Sequence, residues 1–108
     1  MTAYNIVRMR VKPGREKEFL DLHRNDSTGM TARLLKNGFR KGAIVRTGDR
    51  SYCFVGEWDS FDSIVKSRDD MIGNLNAMRD MLEDLGNGLG VTDPISGEAI
   101  VELGKPGR

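Results

Sequence analysis

The sequence predicts an α+β domain in which a strand and helix lead to a hairpin, then to a second helical region and a last strand. Three observations predict it. Tyr4 to Val11 alternates as a strand does. Phe39–Thr47 and Arg50–Trp58 read as extended segments around Gly48-Asp49. From Phe61 to Leu85 apolar residues recur at spacings of three and four, as on one side of a helix.

In the first segment Asn5, Val7, Met9 and Val11 fall on one face, which is expected to meet the helices. Tyr4, Ile6, Arg8 and Arg10 take the other. Lys12-Pro13-Gly14 stops the strand. Arg15 to about Arg24 then reads as a helix with Phe19, Leu20 and Leu22 towards the core. The run from Asn25 to Gly29 interrupts that pattern, and Met30, Leu34 and Leu35 predict a short helical piece that stops at Asn37-Gly38.

Gly48-Asp49, with glycine first, is the signature of a two-residue hairpin. Such a turn sets Phe39 opposite Trp58, Ala43 opposite Phe54 and Val45 opposite Tyr52 on one face. On the other face it sets Arg40 opposite Glu57, Gly42 opposite Val55 and Ile44 opposite Cys53.

Ser60 is the expected N-cap of the next helix. Phe61, Ile64, Met71, Leu75, Met78, Leu82 and Leu85 make its apolar stripe, with Arg68 in the one polar slot, and Leu85-Gly86 ends it. Unbroken, that helix would be about 39 Å long, against about 26 Å for an eight-residue strand. A break is therefore predicted near 69–74, where Asp69-Asp70 and Gly73-Asn74 stand. Asn87–Gly90 and Asp93-Pro94 are expected in a loop, Gly97–Leu103 as the last strand, and 104–108 as a flexible tail. The order is the ferredoxin-like β-α-β-β-α-β, with residues 1–103 as a single domain. Both faces of its four-stranded sheet are expected to be covered.

Composition narrows the function. At 108 residues the core is thin, and association would help it. Seventeen basic residues stand against 16 acidic ones, so there is no strong field to gather nucleic acid or anionic lipid. One cysteine, Cys53, forms no internal disulfide, which points to a reducing compartment. No apolar run approaches the ~18 residues of a membrane span, and no signal-peptide pattern opens the chain. The expected location is cytoplasmic, with neither a nucleic-acid nor a membrane partner.

Three stretches carry a resemblance: Val11-Lys-Pro-Gly-Arg-Glu-Lys-Glu-Phe19, Phe54-Val-Gly-Glu-Trp58-Asp-Ser60 and Val91-Thr-Asp-Pro-Ile-Ser-Gly97. Together with the element order, the chain resembles the dimeric α/β-barrel superfamily, and within it the antibiotic-biosynthesis-monooxygenase-like group. The resemblance implies a homodimer in which two sheets pack face to face, and a small cavity between each sheet and its helices. Members include cofactor-free oxygenases of polyphenolic substrates, haem-degrading enzymes and proteins of no known activity. Haem-degrading members carry a helical axial histidine and a tryptophan in the second helix. Between Phe61 and Leu85 this chain has neither, and His23 lies in the first helix. The expectation is a homodimer with a small aromatic ligand and no cofactor or metal. It is either a cofactor-independent monooxygenase or a non-catalytic, ligand-binding or stress-associated dimer.

Asn5, His23 and Trp58 are the candidate catalytic residues. His23 is the only histidine, a proton acceptor near neutrality or else a half-buried structural residue. Trp58 would roof a cavity for a flat ligand, or anchor the core against Phe39. Asn5 would offer its amide to a substrate oxygen or a peroxide, or simply sit at a strand edge. Cys53 reads as a buried inert thiol. Gly86–Gly90 lacks the strand-to-helix setting of a phosphate loop. The pairs Asp69-Asp70 and Glu83-Asp84 read as solvated faces, and Met71, Met78 and Met81 as core. If their face meets a second sheet, Arg8 and Arg10 are expected to pair with Glu98 and Glu102 of the last strand across the interior or across the dimer; otherwise they lie exposed, with their stems over the sheet.

Overall fold

The alternating first segment forms β1 (Ala3–Arg10), an inner strand of a four-stranded antiparallel sheet, in this computed structural model, which describes residues 1–104. The chain continues through α1 (Glu16–Arg24), α2 (Met30–Lys36), β2 (Phe39–Gly48), β3 (Ser51–Trp58), α3 (Phe61–Lys66), α4 (Arg68–Met78) and β4 (Asp93–Glu98). Strand order is β2-β3-β1-β4, the ferredoxin-like arrangement that the element succession predicts. The expected tail from 105 onwards lies outside the described residues.

Local chemistry explains the helices. Glu16 and Glu18 open α1 while Arg24 closes it, which suits the helix dipole. Lys17 and Asp21 pair along its surface at 2.6 Å. Ser60 caps α3 as expected, its Oγ accepting the N–H of Ser63 at 3.2 Å.

The predicted break in the long helix is real but falls earlier, at Ser67. There the N–H of Ser67 bonds to the carbonyl of Ile64, a tight final turn, and the residue leaves helical geometry. Asp69 and Asp70 mark the start of α4 rather than a break, because carboxylates are favoured at a helix N-terminus. The stripe also ends sooner than predicted. After Met78 a single 3-10 turn, Arg79–Met81, leads to an extended Leu82 bridged to Val11. Ser67 is fully buried, and its Oγ has no hydrogen-bond partner among the described residues. An orphaned buried hydroxyl costs about 1–3 kcal/mol. Ser67→Ala is therefore expected to raise the urea midpoint at unchanged slope; a lowered midpoint would show a bonded hydroxyl.

The hairpin corrects the expected register. Its turn residues are Asp49 and Arg50, with Arg50 in the left-handed region at φ 55°, not Gly48 and Asp49. Phe39 does face Trp58, but irregularities at Arg40 and Thr47 shift the strand between them. Ile44 consequently pairs with Phe54, Arg46 with Tyr52, Val45 with Cys53, Ala43 with Val55 and Gly42 with Gly56. One inserted residue exchanges the two faces of a strand. Ile44 and Gly42 thus join the covered face, while Ala43 and Val45 turn outwards. Cys53, expected to be buried opposite Ile44, is half-buried beside Val45 and Arg8.

The last strand is corrected too. β4 spans Asp93–Glu98 rather than Gly97–Leu103, because its only neighbour, β1, begins at Ala3 opposite Glu98. Ala99 still bonds to the carbonyl of Thr2 at 2.8 Å; beyond it Ile100 is 76% exposed. Pro94 is tolerated because β4 is an edge strand. Arg8 is exposed, as one of the two readings expected, and meets Asp93 at 3.0 Å.

Two apolar clusters fill the covered face. One gathers Met9, Val11, Phe19, Tyr52, Met78, Met81 and Leu82; the other gathers Ala3, Met30, Leu34, Phe39, Trp58 and Ile64. Phe54 touches both. The opposite face has no covering layer among the described residues: Arg8 is exposed, as are Ile6 and Val45.

Candidate functional site

Between the two clusters lies a partly open cavity of about 400 Å³, a volume suited to a small organic molecule. Its sheet wall is Asn5, Val7, Met9 and Phe54; its helix wall is formed chiefly by Met71, Asn74, Leu75 and Met78 of α4. Exposed Arg68, Ile72, Pro94 and Ile95 form the rim, while Asn5, Met30, Ile64 and Asn74 are buried. His23 of α1 reaches the same space.

Asn5 and Trp58, distant in sequence, meet directly. The indole N–H donates to Asn5 Oδ1 at 2.7 Å, in a fully buried contact. With the amide oxygen so engaged, the orientation of the side chain is set. Its NH2 faces Met71, whose sulfur accepts weakly at 3.7 Å, and the cavity. Gly56 makes room for this bond: a Cβ there would stand 2.6 Å from Asn5 Oδ1 and 2.8 Å from Trp58 Nε1. Trp58 itself is fully buried and packs edge-on against Phe39 at 5.0 Å. It is not among the residues that line the cavity and stands behind the wall, holding Asn5.

His23 belongs to a second chain of hydrogen bonds. Its Nδ1 lies 2.9 Å from the carbonyl of Phe19, which only accepts, so Nδ1 carries the proton. Nε2 is left with a lone pair and accepts from Asn74 Nδ2 at 3.2 Å. Asn74 Oδ1 in turn accepts from the Thr28 hydroxyl at 2.5 Å. Burial holds the imidazole below its ordinary value, partly offset by the Phe19 carbonyl and by Asp26. It is therefore neutral near pH 7.

That shift has a sign. Below about 6.5, the ordinary histidine value, the unfolded chain binds a proton that the folded protein resists. Stability is therefore expected to fall as pH drops through this range, and to be restored above it. A His23→Gln variant should lose this part of the slope when melting temperatures are compared between pH 5 and pH 7.5. Parallel curves for the two proteins would refute the assignment.

Asn74 was legible only as a breaker beside Gly73. It is instead the buried polar centre of α4, three residues after Met71 and four before Met78. Its spacing from Met71 and Met78, three and four residues, was the available signal. Among the described residues no three His, Cys, Asp or Glu side chains converge on a point that could hold a metal ion. No helix among them is long and apolar enough to cross a membrane.

No protein-family model matches the sequence, and no curated protein matches it. Solved structures do match. One is a mutant of SnoaB, a cofactor-independent oxygenase from Streptomyces nogalater, 16% identical over 96% of this chain and 98% of that one, with a TM-score of 0.71. A second is a Nitrosomonas europaea protein provisionally assigned as an antibiotic biosynthesis monooxygenase, 9% identical over 95% and 94%, with a TM-score of 0.72. A third, from an uncultured marine organism, is described as a dimeric ferredoxin-like protein, 16% identical over 96% and 98%, with a TM-score of 0.68. This chain has the fold of the antibiotic-biosynthesis-monooxygenase-like proteins. At such identities the likeness is one of architecture, so chemistry must be argued from the side chains themselves.

Proposed function

We propose that the chain forms a small-molecule-binding homodimer whose cavity takes an aromatic molecule and directs its oxygenation without a cofactor. The observation that carries the reading is the Asn5 amide, fixed by Trp58 and facing an apolar, ligand-sized cavity. The fold shared with SnoaB supports the choice of chemistry.

In this scheme an activated CH2 of the substrate loses a proton, and the carbanion passes one electron to dioxygen. The two radicals combine as a peroxide. Elimination of water, with the carbon's second hydrogen, leaves a carbonyl: CH2 and O2 become C=O and H2O. Asn5 Nδ2 would donate to the charged peroxide oxygen. His23 Nε2 would accept the first proton once a ligand displaces the Asn74 N–H that now occupies it. Apolar walls favour delocalised carbanions over localised charge by excluding water.

One observation favours a second reading, binding without catalysis: the histidine lone pair is already engaged, and no carboxylate lines the cavity. Oxygen uptake with anthrone separates the two. Uptake that falls at least tenfold in Asn5→Ala supports oxygenation. Saturable binding without uptake selects the second reading, and neither uptake nor binding overturns both.

The uncovered face of the sheet supports the homodimer. Ala43, Val55, Ile6 and Ile95 stand side by side in one row across all four strands. Neighbouring rows hold polar and charged groups, among them Lys41, Glu57 and Tyr4 on one side and Arg8 and Asp93 on the other. A second copy laid on this row would bury the apolar residues and leave the charges at the rim.

A further inference from the structure

We infer that the cavity is selective for an aromatic carboxylate, whose charged group docks on Arg68 at the rim. The inference rests on the reading that an aromatic molecule occupies this space, and adds the charge that the molecule must carry.

Among the described residues Arg68 is the only charged side chain that lines the cavity; no aspartate or glutamate among them does so. It also differs from most of the chain's arginines. Arg8, Arg15, Arg24, Arg33, Arg40, Arg46 and Arg50 each meet a carboxylate within 4.0 Å. Arg68 makes no ion pair among the described residues. The nearby Asp70 is not available to it, being held by Arg33 at 2.9 Å and by Asn37 at 3.3 Å.

Its position is equally specific. Arg68 occupies the single polar slot of the apolar stripe, one turn before Met71 and Ile72, which line the same cavity. A cation with no partner, at the edge of an apolar space, interacts with an anion more strongly than it would in open water. The planar guanidinium offers two parallel N–H donors, which match the two oxygens of a carboxylate. Asn5 and Asn74, deeper in the cavity, are neutral, and His23 is neutral with its N–H turned to Phe19. No negative charge on the walls opposes such a ligand.

The test compares two probes of equal shape, 2-naphthoate and 2-naphthamide, by calorimetric titration at neutral pH and low salt. Wild type is expected to bind the naphthoate about tenfold more tightly than the amide, the scale of one charge-assisted contact. Arg68→Gln is expected to bring the two to parity, and Arg68→Lys to keep part of the preference. Arg68 is exposed, so these variants leave the core intact. Equal affinities in wild type, or an undiminished preference in Arg68→Gln, would overturn the inference while leaving the cavity as an aromatic site. Failure of both probes to bind would overturn the aromatic site and the charge preference together.

Discussion

Alanine at position 56 is expected to destabilise the protein by about 2–4 kcal/mol. The added methyl would lie 2.6 Å from Asn5 Oδ1, 2.8 Å from Trp58 Nε1 and 3.1 Å from the Phe54 ring. None of these is the loose end of a long side chain, so relief requires breaking the buried Asn5–Trp58 bond and moving an indole that is completely enclosed. Trp58 is the only tryptophan, so its fluorescence reports both the unfolding midpoint and the state of that bond. Gly73→Ala is the matched control. It adds the same methyl inside α4 where nothing lies within 4 Å, and is expected to stabilise by about 0.5–1 kcal/mol. A Gly56→Ala protein as stable as wild type, with an unshifted emission maximum, would refute the packing described for Asn5 and Trp58.

A charge placed in the middle of the uncovered row is expected to separate the proposed dimer. Ile6 is central, flanked by Val55 and Ile95, and is 39% exposed in the single chain. Ile6→Asp therefore costs the isolated protomer little. In a face-to-face pair the same carboxylate would be taken out of water without a partner, at several kcal/mol. Sedimentation equilibrium at micromolar concentration should show a dimer for wild type and a monomer for Ile6→Asp. The circular dichroism of the two should be alike. A wild type that sediments as a monomer would refute the assembly.

The legible and illegible parts of the fold divide along physical lines. Alternation placed β1 and β3, and cap chemistry placed Ser60, because both signals are local. Strand register depended on two backbone irregularities, at Arg40 and Thr47, that leave no mark in composition. The end of β4 depended on where its neighbour begins, which is a tertiary fact. The site divides in the same way. Asn5 and His23 stood out by chemical type, and both line the cavity. Sequence could not show that Trp58 serves Asn5, because the two are joined only through the pairing of β1 with β3. Asn74 was obscured by Gly73, whose presence suggested a break that α4 does not contain.

Gly42 and Gly56 lie directly opposite each other, beneath the rings of Phe39, Phe54 and Trp58. Of these rings only Phe54 reaches the chamber; the others back its sheet wall, and a side chain added at either glycine would meet atoms closer than 3.0 Å. The far side is mainly Met71, Leu75 and Met78, flexible side chains that exchange for one another at small cost. Any diversification of ligand preference, by natural drift or by directed libraries, should therefore run through α4 and spare the hairpin.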